Sequence, residues 1–275
     1  MNIFINRSDT VADLQKCRLF LLDMDGTIYL DNRLFDGTVE FLDYIKGLGG
    51  RYIFLTNNSS KSVDRYIEKL NGMGISAQRD DFLTSTDITI EVVKKRGFKK
   101  IYALGTESFK EQLRGAGLNI TDAPSAGIDC LCMGYDTELT YKKLVDACVL
   151  LKNDIAYIAT NPDWVCPTDY GFVPDCGSVS EMLFRATGKK PEFIGKPSPA
   201  MALSAMKLTG FGKDETAIVG DRIYTDIACG VNAGINTVFV LSGEGVMADI
   251  EKYGIRPDFI FENVKEIFNK LNPKG

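Results

Sequence analysis

Four times along this chain a short strand-like run breaks off into small polar or charged residues, and a segment of helical periodicity follows the first three. Residues 19–22 run into Asp23-Met24-Asp25-Gly26-Thr27, and residues 52–55 into Thr56-Asn57-Asn58-Ser59-Ser60. Residues 192–194 lead to Gly195-Lys196-Pro197-Ser198-Pro199, and residues 216–219 to Gly220-Asp221-Arg222, with Asp226 five positions beyond Asp221. Short apolar runs of this kind read as buried strands, and strands alternating with helices build a parallel, doubly wound α/β sheet. Such sheets bind ligands outside the carboxyl ends of their strands. Each motif alone has a plainer reading: an Asp-rich turn for D-x-D-G, a helix cap plus turn for Thr-Asn-Asn-Ser-Ser, solvated turns for Lys-Pro and Gly-Asp. Their recurrence at four strand ends is what points to one site.

The helical segments fit this order. Residues 36–48 place Val39, Leu42, Ile45 and Leu48 on one face and end at Gly49-Gly50. Residues 62–73, with Val63, Tyr66, Ile67 and Leu70 apolar, aim a helix N-terminus at the region after Thr56, which favours anions there. A helix at 200–208 and strands at 236–241 and 258–261 complete the carboxyl-terminal part. Residues 82–186 read as a second βα array, with strands at 100–104, 128–133 and 155–159 and helices at 88–95, 107–114 and 141–152. The expected organisation is therefore a core from residues 1–81 and 187–275 with an α/β insertion at 82–186. Within the insertion, Thr160-Asn161-Pro162-Asp163-Trp164 and Val173-Pro174-Asp175-Cys176-Gly177 concentrate Pro, Gly, Asp and the single Trp. Loops of this kind carry recognition or are simply turns.

Composition narrows the chemistry mainly by what it lacks. The chain of 275 residues has no histidine, which excludes Ser-His-Asp and Cys-His catalysis and His-ligated zinc. No G-x-S-x-G, Walker G-x-x-x-x-G-K-[ST] or G-x-G-x-x-G occurs, and none of the seven cysteines is followed six positions later by arginine. What remains is carboxylates, lysine and metal. A net charge of −5 with 32 basic residues argues against a dedicated nucleic-acid binder. No apolar run reaches membrane-spanning length, and Arg7, Asp9 and Asp13 stand where a signal peptide needs apolar residues. Scattered cysteines without C-x-x-C, such as Cys130, Cys132 and Cys148, read as reduced core thiols, so a cytoplasmic location is expected.

The ordered set resembles the four motifs of the haloacid dehalogenase superfamily: Asp23-Met-Asp25-Gly-Thr, then Thr56-Asn57, then Lys196, then Gly220-Asp221 with Asp226. Thr-Asn-Asn-Ser-Ser, Ala159-Thr-Asn-Pro-Asp, Gly195-Lys-Pro-Ser-Pro and the run from Ala233-Gly-Ile to Val240-Leu-Ser-Gly are similar to its NagD-like and p-nitrophenyl-phosphatase-like subfamily. That resemblance implies a Rossmann-like core with a large α/β cap inserted between the second and third motifs, where residues 82–186 lie.

It also implies Mg²⁺-dependent hydrolysis of small phosphomonoesters through an aspartyl-phosphate. Asp23 is expected to attack phosphorus, and Asp25 to protonate the leaving alkoxide and then activate water. Asp23, Asp221 and the backbone carbonyl of Asp25 are the expected Mg²⁺ ligands. Thr56, Asn57, Asn58 and Lys196 are expected to hold the phosphoryl group, with Gly220 and Asp226 in support. An acid at Asp25 favours phosphate chemistry over dehalogenation. Asn161, Asp163 and Trp164 are the candidate leaving-group contacts. Two other readings stay open: a phosphotransferase or mutase sharing the intermediate, and a phosphate-ligand binding protein without catalysis. The partner expected is a small phosphomonoester such as a nucleotide, sugar or glycerol phosphate or p-nitrophenyl phosphate, not nucleic acid or membrane. The residues leave monomer and homo-oligomer equally open.

Overall fold

The apolar run before Asp23 forms the strand Leu19–Leu22, and every residue of it is buried. In the computed structural model, which describes residues 12–168 and 171–273, this strand lies inside a six-stranded sheet. The strand order is Phe259–Phe261, Asn236–Val240, Thr216–Gly220, Leu19–Leu22, Arg51–Thr56, Phe82–Thr84. Parallel pairing joins Leu19–Leu22 to both neighbours, with Leu21 opposite Ile218 on one side and Ile53 on the other. A strand buried on both faces needs a continuous apolar sequence, which Leu-Phe-Leu-Leu supplies. Helix Thr38–Gly47 covers the sheet through Phe41, whose ring meets Phe20 edge-on at 5.3 Å. Helix Val264–Leu271 packs beside it, with the Tyr44 hydroxyl donating to the Leu271 carbonyl at 2.7 Å. Helix Ala200–Thr209 also packs against Leu19–Leu22.

The chain divides into two compact units. The first comprises the described chain up to Leu55 together with Ile67–Leu83 and the chain from Lys196 onward; the second comprises Thr56–Tyr66 and Thr84–Gly195. The second unit has its own five-stranded parallel sheet, in the order Glu192–Phe193, Ala156–Ala159, Cys130–Met133, Ile101–Leu104, Ile120–Thr121. Tyr102, Leu104, Leu131, Met133, Tyr157 and Leu183 belong to its core. An antiparallel hairpin pairs Val165–Thr168 with Gly171–Pro174. Cys130, Cys132 and Cys176 are buried thiols whose desolvation raises their pKa, as expected of core cysteines.

Several elements differ from those expected. Phe82–Thr84, expected to open the insertion, is instead the edge strand of the first sheet. The helix after it begins at Ser85 rather than 88, because the Thr84 hydroxyl accepts from the Asp87 amide while the Asp87 carboxylate accepts from the Thr84 amide. Helix Cys176–Thr187, hidden behind the turn-like Pro174-Asp175-Cys176-Gly177, starts where the Asp175 side chain accepts from the Cys176 amide. Arg7 and Asp9, from which no leader was expected, lie outside the described residues. Among the described residues no helix is long and apolar enough to cross a membrane.

Candidate active site

The first sheet reverses direction at one point. From Leu19–Leu22 the next two strands in sequence are added on one side, and the last three on the other, beginning with Thr216–Gly220. The crevice outside such a switch point is where a doubly wound sheet binds its ligand. Asp23 and Asp221 follow the two strands that flank it, and the Asp23 amide extends the ladder by donating to the Val219 carbonyl at 2.9 Å.

Lys196 joins the carboxylates. Its Nζ donates to Asp23 Oδ1 at 2.6 Å, Asp226 Oδ1 at 2.6 Å and the Leu55 carbonyl at 3.1 Å. An ammonium has three N–H groups, and here each has an acceptor. That satisfaction is what allows a lysine to be only 2% exposed. Burial opposes the charge on Lys196, but Asp226 and Asp23 outweigh it and hold the pKa above that of an ordinary lysine.

Asp226 reaches Lys196 because the chain after Asp221-Arg222 makes a π-helical turn, Ile223–Ile227. The Ile227 amide bonds the Arg222 carbonyl at 3.2 Å, and the Arg222 amide donates to Asp226 Oδ2 at 3.2 Å. Widened turns of this sort recur at functional sites. Gly220 makes room for it, since a Cβ there would stand 2.3 Å from the Cβ of Asp226. Gly220→Ala is accordingly expected to cost about 1–3 kcal/mol of stability, as overpacking does. It should also lower turnover through Asp226 and Lys196. Thermal unfolding and turnover of the purified variant check both, and a variant matching the parent in each would refute the packing argument.

Asp221 is gripped from one side only. Its Oδ2 accepts from the Glu244 amide at 2.8 Å, while Oδ1 is buried with no hydrogen-bond partner among the described residues. Two glycines admit the carboxylate: a Cβ on Gly243 would be 2.0 Å from Oδ2, and one on Gly26 (φ +84°) 2.6 Å from it. The segment Ser242-Gly243-Glu244 is further tied by the Ser242 hydroxyl donating to the Gly26 carbonyl at 2.7 Å and by an Arg222–Glu244 ion pair at 3.0 Å. In the sequence Ser-Gly-Glu-Gly reads only as a strand end; its glycines are the available signal for a close approach.

Carboxylate oxygens of Asp23, Asp221 and Asp226 lie within 4.8 Å of one another. Burial, then the neighbouring Asp23, pushes Asp221 up to about 8. Burial also raises Asp226, to about 6, against the pull of Lys196. Clustered carboxylates with one lysine between them, and a buried oxygen lacking a partner, suit a hard divalent cation with oxygen ligands. Asp25 is outside this cluster. Its Oδ2 accepts from the Tyr29 hydroxyl at 3.1 Å, and its Oδ1 lies 3.7 Å from Lys69 Nζ. Neither Tyr29 nor Lys69 carries a pattern in the sequence that marks it.

The remaining candidates belong to the second unit. Thr56 is the last residue of Arg51–Thr56, and its hydroxyl accepts from the Asn58 amide at 3.1 Å. Asn58 Oδ1 accepts from both the amide (3.0 Å) and the hydroxyl (2.7 Å) of Ser60. The Asn57 side chain donates to Asp163 Oδ2 at 2.8 Å, and Ser85 donates to the Asn57 carbonyl at 2.8 Å. Asn161 donates to the same Asp163 oxygen at 2.8 Å and to Asp175 at 3.1 Å. Asn161 and Asp163 are buried and engaged in this network, whereas Trp164 is 53% exposed. Of the three residues expected to meet a leaving group, two thus brace Asn57 and only the indole is open to solvent.

Residues 20–119 match the haloacid dehalogenase-like hydrolases, and residues 193–267 match a second HAD-hydrolase-like family. The chain is 32% identical over 259 residues to an acid sugar phosphatase of Staphylococcus aureus, covering 94% of this chain and 99% of that one. Among solved structures it resembles a 4-nitrophenylphosphatase from Thermotoga maritima, with 41% identity, a TM-score of 0.88, and 94% and 98% of the two chains covered. A glycerol phosphate phosphatase from Mycobacterium tuberculosis in complex with calcium matches at 27% identity and a TM-score of 0.84, covering 92% of this chain and 75% of that one. With the carboxylates and lysine standing where the switch point requires, the chain belongs to the haloacid dehalogenase-like hydrolases.

Proposed function

We propose that the chain is a Mg²⁺-dependent phosphatase that hydrolyses small phosphomonoesters through an aspartyl-phosphate on Asp23. The observation that carries this is the Asp23 carboxylate held at 2.6 Å by a buried Lys196, within 4.8 Å of a carboxylate oxygen of Asp221. A carboxylate attacks an anionic phosphoryl group only where negative charge is offset. Lys196 provides one fixed positive charge at the attacking group. Asp23 and Asp221, with the Asp25 backbone carbonyl, are the proposed ligands of Mg²⁺, which when bound supplies charge neutralisation at the phosphoryl oxygens. Asp226 fixes Lys196 and so acts on Asp23 at one remove.

Asp25 is assigned the proton. It gives one to the leaving oxygen as the ester P–O bond breaks, then takes one from the water that attacks the aspartyl-phosphate. Thr56, Asn57 and Asn58 are assigned to positioning phosphoryl oxygens, with Asp163 and Asn161 bracing Asn57. Choice among leaving groups is assigned to the second unit, which carries Trp164. The similar proteins are named for sugar, glycerol and nitrophenyl phosphates, in keeping with small esters as a class.

The test is p-nitrophenyl phosphate hydrolysis by the parent and Asp23→Asn, each with and without Mg²⁺. The parent is expected to release inorganic phosphate only with metal. A carboxamide in place of the Asp23 carboxylate cannot act as a nucleophile, so the variant should be inactive while folded. A folded variant retaining parental turnover would exclude Asp23 as nucleophile. Phosphate recovered on an added alcohol rather than free would favour a phosphotransferase.

A further inference from the structure

Tyr29 and Lys69 hold Asp25, yet neither contributes to the carboxylate cluster. Tyr29 is fully buried, and its carbonyl accepts from the Gly26 amide at 2.8 Å, so its hydroxyl is a fixed point. Asp25 is the reverse: its side chain is 46% exposed and would otherwise sample several rotamers. The Tyr29 hydroxyl pins Oδ2 at 3.1 Å, which fixes the direction in which the carboxyl group points. Lys69, on helix Val63–Gly72, sets its ammonium 3.7 Å from Asp25 Oδ1 and 3.7 Å above the centre of the Tyr29 ring. A cation on the ring face is attracted to it and draws electron density from the phenol, which strengthens the hydroxyl as a donor. The three side chains therefore form one clamp, reached from two separate stretches of sequence.

We infer that Tyr29 and Lys69 are positioning residues for proton transfer by Asp25, an inference that rests on the proposed role of Asp25 as acid and base. In the first half-reaction the Asp23–phosphorus bond forms, the ester P–O bond breaks, and the Asp25 proton passes to the departing oxygen, leaving an alcohol and the Asp25 carboxylate. An aliphatic alkoxide is a strong base that needs this proton, whereas p-nitrophenolate departs without one. Disturbing the clamp must therefore be felt on alkyl esters and scarcely on the nitrophenyl ester. A residue with only a structural role would affect both alike.

The experiment compares kcat/KM, which reports the first half-reaction, for glycerol 3-phosphate and p-nitrophenyl phosphate in Mg²⁺. Tyr29→Phe keeps the ring and removes only the hydroxyl, and Lys69→Met is compared with Lys69→Arg. Tyr29→Phe and Lys69→Met are expected to lower kcat/KM for the alkyl ester on the order of 10-fold, part of what a general acid contributes. The nitrophenyl ester should change little, and Lys69→Arg should restore most of the loss. Equal losses on both esters, or none on either, would overturn the inference. Asp25→Asn in the same assays tests the underlying assignment separately. If it loses alkyl turnover while Tyr29→Phe shows no leaving-group preference, only the clamp is refuted. If Asp25→Asn keeps alkyl turnover, the proton role of Asp25 falls and the clamp falls with it.

Discussion

Lys196→Met is expected to lower turnover by about 10²–10³-fold, the scale of losing one preorganised charge stabiliser, and to destabilise the fold by about 3–5 kcal/mol. Both follow from one geometry. Lys196 lies between Asp23 and Asp226, 2.6 Å from each, and removing it leaves two facing carboxylates in a buried place. Asp226 already has a raised pKa because burial penalises its charge, and Lys196 is the main influence pulling it back down. Without the lysine its folded-state pKa must rise further. A carboxyl group with a raised folded pKa binds more protons folded than unfolded, so the variant's stability should be greatest in acid and fall as pH rises toward that pKa. The double variant Lys196→Met, Asp226→Asn should regain much of the stability, because an amide replaces the stranded charge, but none of the turnover. Denaturant unfolding across pH, with turnover on the same samples, separates the two effects. A Lys196→Met protein as stable and active as the parent would refute the account of the triad.

Asp221→Asn is expected to lower metal-dependent turnover by roughly 10²-fold or more, a loss of about 3 kcal/mol or more. It should also change how the metal-free protein responds to pH. Asp221 is pushed from an ordinary 3.8 to about 8, first by burial and then by Asp23. Between those values the folded state holds a proton that the unfolded chain has released. The metal-free parent therefore loses stability as pH rises through that window and levels off above it. Asparagine cannot ionise, so the variant should lack this part of the slope and be the more stable protein near pH 8. Mg²⁺ should stabilise the parent there and not the variant. The comparison is thermal unfolding with chelator and with Mg²⁺ from pH 5 to 9, which covers the upper part of the window and the levelling above it. Equal metal stabilisation of both proteins would remove Asp221 from the ligand set.

The strand ends are legible in the sequence because each element states itself twice. An apolar run such as Leu19–Leu22 fits only a buried strand, and the polar residues right after it mark where burial stops. Arg51–Thr56 and Thr216–Gly220 lie within a residue of their expected bounds for the same reason. Phe82–Thr84 is harder, since three residues show no period and only pairing with the neighbouring strand makes them a sheet edge. Helix Cys176–Thr187 is masked by Asp175 and Gly177, which serve a turn and a helix start equally well. Asn161 and Asp163 show a deeper limit. A polar strand end can face a ligand or be consumed by its neighbours, and only their bonds to Asn57 and Asp175 decide that. The π turn that carries Asp226 and the Tyr29–Lys69 clamp depend on contacts that no spacing encodes.

The central claim is that phosphate passes through Asp23. Its most direct test is to mix the protein and Mg²⁺ with phosphate-labelled glycerol 3-phosphate, quench in acid within a single turnover, and map the label by peptide. The expected result is an acid-stable, hydroxylamine-labile phosphate on the peptide containing Asp23, absent from Asp23→Asn. Full release of labelled phosphate with no labelled protein at any quench time, together with inversion at phosphorus, would mean direct attack by water and would contradict the covalent mechanism.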